Sequence, residues 1–114
     1  MKLTTIGEIP AQQLTNKTTA PFIISFKYKL EKGYTFKELE VRNLKDFQAF
    51  LDRISQMTFQ EVDTQYKRPS DKKDKFKGND IVHYGYANGS RIHGVIEGGR
   101  FKVLRIDPCH KFHK

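Results

Sequence analysis

Two dipeptides in the last third of the chain, Asn88-Gly89 and Gly98-Gly99, constrain its fold more than any other feature. Two-residue hairpin turns need positive φ at their central positions, which glycine and asparagine reach at little cost. Both dipeptides are flanked by runs that alternate apolar and polar residues, as strands do: IVHYGYA, SRIHGVIE and RFKVLRID. The spacing predicts a three-stranded antiparallel meander. With two-residue turns, Ala87 falls opposite Ser90, Tyr86 opposite Arg91 and Tyr84 opposite His93. Glu97 falls opposite Arg100, Val95 opposite Lys102 and His93 opposite Leu104. Strand side chains alternate between faces. One face then collects Ile81, His83, Gly85, Ile92, Gly94, Ile96, Phe101, Val103 and Arg105, and this is the face expected to meet the helices. The other collects Val82, Tyr84, Tyr86, Arg91, His93, Val95, Lys102, Leu104 and Ile106.

The rest of the chain supplies those helices. PFIISFKYKL alternates as a half-buried strand, and Glu31-Lys32-Gly33 reads as a turn into YTFKELEV, which predicts an N-terminal hairpin. NLKDFQAFLDRISQM spaces Leu44, Phe47, Leu51 and Ile54 at helical intervals behind Asn43 as N-cap. TFQEVDTQY repeats that signal in brief, with Thr58 and Glu61 as a capping box. KRPSDKKDKFKGND breaks every period, so 67–80 is expected to be a mobile basic loop, and 1–20 an irregular N-terminal segment. The expected fold class is α+β over one domain, 1–114: an antiparallel sheet, made of the N-terminal hairpin plus the C-terminal meander, with two consecutive helices packed on one face.

Charge narrows the function. The chain carries 21 Lys and Arg against 13 Asp and Glu, a net charge of +8, which draws it toward polyanions. Nucleic acid is the leading candidate partner and an acidic protein the alternative. No stretch approaches the roughly 20 apolar residues of a membrane span, so no membrane contact is expected and the cytoplasm is the expected location. One cysteine excludes an internal disulfide framework.

In the meander's predicted register, Tyr84, Tyr86, Arg91 and His93 share a neighbourhood suited to RNA. Tyrosines stack unpaired bases, arginine clamps a phosphate with two donors, and histidine moves protons near neutral pH. Lys102 and the loop residues Lys72, Lys73, Lys75 and Lys77 are candidate phosphate contacts. The tail RIDPCHKFHK places Cys109, His110 and His113 near the last strand, and Phe112 gives the tail an apolar reason to dock. Adjacent cysteine and histidine rarely reach one ion together, so no metal and no cofactor are expected. The bland reading of these groups, a sheet of ordinary strand residues with a solvated tail, stands beside the functional one.

The element order, two consecutive helices, a basic loop and a three-stranded meander with a histidine-bearing end, resembles the RelE/YoeB-like superfamily of bacterial toxin ribonucleases over roughly residues 43–114. SRIHGV is similar to the strand of that family that opens with a functional arginine, and CHKFHK lies where YoeB-like members carry a catalytic histidine. The resemblance implies metal-independent cleavage of messenger RNA, possible on the ribosome, with an acidic antitoxin protein as partner. It carries the catalytic roles to Arg91 as phosphate clamp and to His93 with His110 or His113 as acid and base. A binding module that uses the same basic, aromatic face without cleaving RNA is the alternative.

Overall fold

The computed structural model describes residues 20–109. Its architecture is α+β, with a five-stranded sheet, two helices on one sheet face and a small separate ribbon. In chain order the elements are β1 (Ile24–Ser25), a single 3-10 turn (Phe36–Glu38), α1 (Val41–Ile54) and α2 (Phe59–Tyr66). They are followed by β2 (Lys67–Arg68), β3 (Lys75–Phe76), β4 (Asn79–Asp80), β5 (Val82–Ala87), β6 (Ser90–Glu97) and β7 (Arg100–Asp107). The sheet runs β1-β7-β6-β5-β2, and β3 pairs only with β4. No helix among the described residues is long and apolar enough to cross a membrane.

The expected meander is present as β5-β6-β7, but the N-terminal hairpin is not. β1 lies parallel to β7, with Ile24 opposite Phe101, so the sheet is mixed rather than antiparallel. YTFKELEV does not extend as a strand. Thr35 instead caps the 3-10 turn, where its hydroxyl accepts from the Lys37 N–H and Glu38 accepts from the Thr35 N–H at 2.7 Å. These local bonds compete with strand pairing, as short hydroxyl and carboxyl side chains do near turns. α1 begins two residues before the expected Asn43, which acts from the third helical position by accepting from the Glu40 N–H at 2.9 Å. Thr58 and Glu61 form the expected box: the Thr58 N–H donates to Glu61 at 2.9 Å and the Glu61 N–H to the Thr58 hydroxyl at 3.3 Å. The stretch 67–80, expected as irregular, carries β2 and the β3–β4 ribbon. The expected irregular segment 1–20 lies outside the described residues except for Ala20, which is buried.

The register of the meander departs from expectation at two bulges, and the departure reassigns its faces. Ala87–Ser90, Glu97–Arg100 and Val95–Lys102 pair as expected. Tyr86 is then an extra residue on β5, so Gly85 pairs with Arg91, Tyr84 with Ile92 and His83 with His93. Leu104 is likewise extra on β7, so Gly94 pairs with Val103, His93 with Arg105 and Ile92 with Ile106. A one-residue slip sends every later side chain to the opposite face. Tyr84, Tyr86 and Ile106 therefore join the expected Ile92, Phe101 and Val103, with Phe47, Phe50, Phe59 and Val62, in the core beneath the helices. His83, His93 and Arg105 line up across three strands on the far face, beside a second, smaller core of Ile81, Val95 and Leu104.

Gly94 permits the second bulge. A Cβ at that position would lie 2.3 Å from the Lys102 carbonyl oxygen, a distance that no side-chain rearrangement relieves because the neighbour is backbone. Gly94→Ala should therefore force β6 and β7 apart and cost at least the 1–3 kcal/mol typical of overpacking. At about 4–8 °C per kcal/mol for a domain of this size, thermal melting reads it clearly. An unchanged midpoint would show that the close approach of these strands is not part of the folded state in solution.

Candidate nucleic-acid interface and the buried arginine network

The row that the bulges create on the far face is a closed network. Arg105, 5% exposed, donates from Nε to Glu31 Oε1 at 2.8 Å and from both terminal nitrogens to the two Asp74 oxygens at 2.9 and 3.0 Å. Its Nη1 also lies 3.1 Å from His93 Nδ1. A guanidinium only donates, so Nδ1 of His93 must accept, and the ring carries its proton on Nε2. The His83 ring stacks on it at 3.6 Å between centroids and 6° between planes, with His83 Nε2 at 3.9 Å from Asp74 Oδ2. Burial opposes the Arg105 charge, but the hydrogen bonds from Asp74 and then Glu31 outweigh it and hold the guanidinium above its ordinary pKa. The bulge turns Arg105 away from the helices and toward these carboxylates.

The four residues expected to form one RNA-facing neighbourhood are consequently separated. Tyr84 and Tyr86 are fully buried under the helices, where Tyr86 packs edge-on against Phe47 at 5.2 Å and Tyr84 donates its hydroxyl to Asp63. Burial, and then the Asp63 bond, push the Tyr84 phenol well above its ordinary range, and burial pushes Tyr86 up to about 12. Neither ring is placed to stack a base. His93 is fully buried, with Nδ1 turned to Arg105. Lys102 is part-buried at the other end of the sheet. It donates to Glu97 at 3.3 Å, beside the Tyr28 ring, and Glu97 also accepts from Tyr28 at 2.6 Å and from Asn79 at 3.2 Å. Glu97 thus turns to these three rather than to Arg100, its partner in register. Among the loop lysines, Lys75 pairs with Asp80 and Lys77 lies over the Tyr28 and Phe76 rings, while Lys72 and Lys73 are exposed. His110, His113 and Phe112 lie outside the described residues, as does the expected docking of the tail. Among the described residues no group of three His, Cys, Asp or Glu side chains is arranged to hold a metal.

Arg91 alone of the four reaches an open surface, and there it has company. It lines a groove of about 470 Å³ with Arg53, Arg68, Gln65, Tyr66 and the main chain of the Gly85–Ser90 turn. Each guanidinium is aimed by neutral oxygens. Arg91 donates to the Pro69 carbonyl at 3.4 Å, Arg68 to the Lys67 carbonyl at 3.1 Å, and Arg53 to the Tyr66 hydroxyl at 3.1 Å and the Tyr86 carbonyl at 3.3 Å. Gly85 lets Arg68 lie flat across β5, since a Cβ there would sit 3.1 Å from the Arg68 Nε. Partial burial, and then the neighbouring Arg68 charge, hold Arg91 below its ordinary pKa, with Asp107 partly offsetting them. Like charges held this close favour an anion between them. Arg53, Arg68 and Tyr66 were not singled out from the sequence. They come from the ends of α1 and α2 and from β2, and no local pattern announces that these ends converge.

The end of the described chain is tied to the same groove. Ser90 donates its hydroxyl to the Pro108 carbonyl at 2.6 Å, and Cys109 is exposed beside it. Comparison with protein-family models, with curated proteins and with solved structures finds no match in any of the three.

Two measurements check this geometry. Arg105→Met strands Asp74 and should cost about 3 kcal/mol, the low end for breaking a buried pair because Asp74 keeps some contact with water. Adding Asp74→Asn should recover part of that loss, and strictly additive single and double substitutions would mean the pair is uncoupled. The second measurement is alkaline denaturation. Because the folded-state pKa of Tyr86 is raised from 10.0 to about 12, the folded protein holds protons that the unfolded chain releases. Stability is complete below the unfolded value and falls as pH rises from about 10 toward 12. Tyr86→Phe should blunt that fall, and identical alkaline melting of the two proteins would place Tyr86 in water.

Proposed function

We propose that the chain is an RNA-binding protein that grips the phosphates of single-stranded RNA in the Arg53–Arg68–Arg91 groove. The observation that carries this reading is the convergence of three guanidiniums whose hydrogen-bond partners are carbonyls and a phenol, so that among the described residues none is matched by a carboxylate acceptor within the groove. Such groups keep donors for a phosphate and hold it bidentately. Tyr66, half-buried at the groove edge, supplies a ring beside the backbone track, the combination that sequence-tolerant binding of single strands uses. The net charge of +8 adds long-range attraction.

A second reading, metal-independent cleavage of the RelE/YoeB-like kind, draws support from one observation. The Ser90–Pro108 bond brings Cys109, the residue before His110, to the rim of the groove that holds Arg91. In this reading Arg91 steadies the charge on the phosphorane, and His110 or His113 takes the 2′-hydroxyl proton or protonates the leaving oxygen. His93, held in the Arg105 network, has no part in it.

Binding of a fluorescent single-stranded RNA over a salt series tests the first reading. Arg68→Gln and Arg91→Gln should each weaken binding and reduce the slope of log affinity against log salt by about one. Lys102→Gln, engaged with Glu97 at the other end of the sheet, should leave both unchanged. A slope insensitive to both arginines would place RNA elsewhere. Incubation of the same RNA with the wild-type chain and with a His110→Ala, His113→Ala variant tests the second: metal-independent cleavage that the variant loses supports it, and intact RNA with the wild type removes it.

A further inference from the structure

We propose that the N-terminal end of α1 and the 3-10 turn before it form a docking surface for an acidic, amphipathic segment of another protein, distinct from the arginine groove. Phe26 and Phe36 are each 45% exposed, Leu44 is 44% and Val41 is 69%. They cluster at one end of α1. The Phe26 and Phe36 rings meet at 5.8 Å, Phe36 meets the buried Phe47 at 6.1 Å, and Leu44 and then Val41 precede Phe47 at three-residue spacing, each turned further from the core. Beside Phe36 runs a groove of about 640 Å³ lined by the apolar Leu30 and Phe36 and by Lys29, Lys32 and Lys37, against one carboxylate, Glu38. A cluster of large apolar side chains left in water in this way marks an interaction site more often than chance exposure.

Charge selects the occupant. Three lysines line the groove against Glu38, which is bound to the Thr35 cap, and Glu31 nearby is bound to Arg105; Lys27, Arg42 and Lys45 are exposed in the same segments against the exposed Glu40, so positive charge is in excess. An excess of this sign repels a second copy of a chain that carries +8. RNA is matched in charge but not in shape: Leu30, Val41 and Leu44 offer no stacking face, and Phe36 is tilted 46° against Phe26 and edge-on to Phe47 rather than presented as a free platform. A segment with apolar residues at helical spacing and carboxylates between them satisfies both the apolar side chains and the lysines. Arg53, at the other end of the same helix, is twelve residues from Val41 and so about 18 Å away along the axis, and the two surfaces can be occupied together.

The test uses the full chain and a labelled synthetic peptide of about 15 residues with leucine at alternating three- and four-residue spacing and glutamate between. Anisotropy should report binding that weakens with salt. The substitutions Phe36→Ser, Val41→Ser and Leu44→Ser, made singly, should weaken it by about tenfold at the strongest position, as should reversal of Lys29, Lys32 and Lys37 to Glu. Melting midpoints and RNA affinity should stay unchanged, and Arg91→Gln should leave peptide binding intact. The proposal is overturned if the peptide does not bind, if a shuffled peptide of the same composition binds as well, or if the serine variants bind it normally. It is overturned in favour of nucleic acid if Phe36→Ser or Leu44→Ser lowers RNA affinity. It is overturned in favour of self-association if sedimentation finds a dimer that Leu44→Ser dissociates.

Discussion

The Arg105 guanidinium is the interaction on which the far side of this molecule depends. Its carboxylate partners come from segments distant in sequence, Glu31 from the turn that follows β1 and Asp74 from the basic stretch before β3, and its imidazole partner from the middle of β6. One side chain thus fastens the N-terminal arm and the basic loop to the centre of the sheet. The desolvation of a buried arginine is compensated only when nearly all its donors are used, and here four contacts engage them. The same requirement explains the histidines. His93 accepts from Arg105 at Nδ1, and the His83 ring stacks on it at 3.6 Å, so both imidazoles belong to this buried network.

The network exists only because of the two bulges. Without Tyr86 and Leu104 as extra residues, Arg105 would stand in register with Ile92 under the helices, and its guanidinium would face Phe50 and Phe101 instead of carboxylates. The bulges also divide the apolar material into two cores on two faces, a large one closed by the aromatic side chains of α1 and α2 and a small one closed by Tyr28 and Phe76. Phe76 belongs to the β3–β4 ribbon and stacks edge-on to Tyr28 at 4.9 Å, so the basic stretch is held by an apolar anchor as well as by Asp74. Composition alone, rich in lysine and aspartate, does not reveal that anchor.

The legible part of the fold is the part specified by strictly local chemistry. Asn88-Gly89 and Gly98-Gly99 mark both hairpin turns, and the Thr58–Glu61 box marks the start of α2. The expected α1 face of Leu44, Phe47, Leu51 and Ile54 holds at Phe47 and Ile54 and is rotated elsewhere: Asn43 and Phe50 are buried, Leu51 is only partly so, and Leu44 is 44% exposed. Register inside the strands was legible only as far as the first bulge on each side. The signal for the bulges was nonetheless present as Gly85 and Gly94, since a lone glycine inside a strand often marks a bulge or a close approach. Gly94 accommodates the Lys102 carbonyl and Gly85 the Arg68 side chain. The hairpin expected after β1 failed for a different reason. The alternation in PFIISFKYKL is real, but its pairing partner is β7, more than seventy residues away, and parallel pairing leaves no turn signature. Of the candidate site residues, Arg91 was legible because both the expected and the observed registers turn it away from the helices. Tyr84 and Tyr86 changed faces with the bulge, and Arg53 and Arg68 are brought to the groove by tertiary packing.

Arg91 and Arg105 lie on neighbouring strands of one sheet face, in the same residue type, and their surroundings separate their roles. Around Arg105 the chain supplies two carboxylates within 3 Å, both fixed, and the charge is satisfied internally. Around Arg91 it supplies a carbonyl at 3.4 Å, while partial burial and then the Arg68 charge disfavour the guanidinium and the Asp107 charge offsets them only in part. Among the described residues no carboxylate lines the groove where Arg53, Arg68 and Arg91 converge, which leaves a local excess of positive charge there. The distinction between the two arginines is therefore one of counter-charge: two carboxylates at hydrogen-bond distance for Arg105, and a main-chain oxygen with Asp107 offsetting only in part for Arg91.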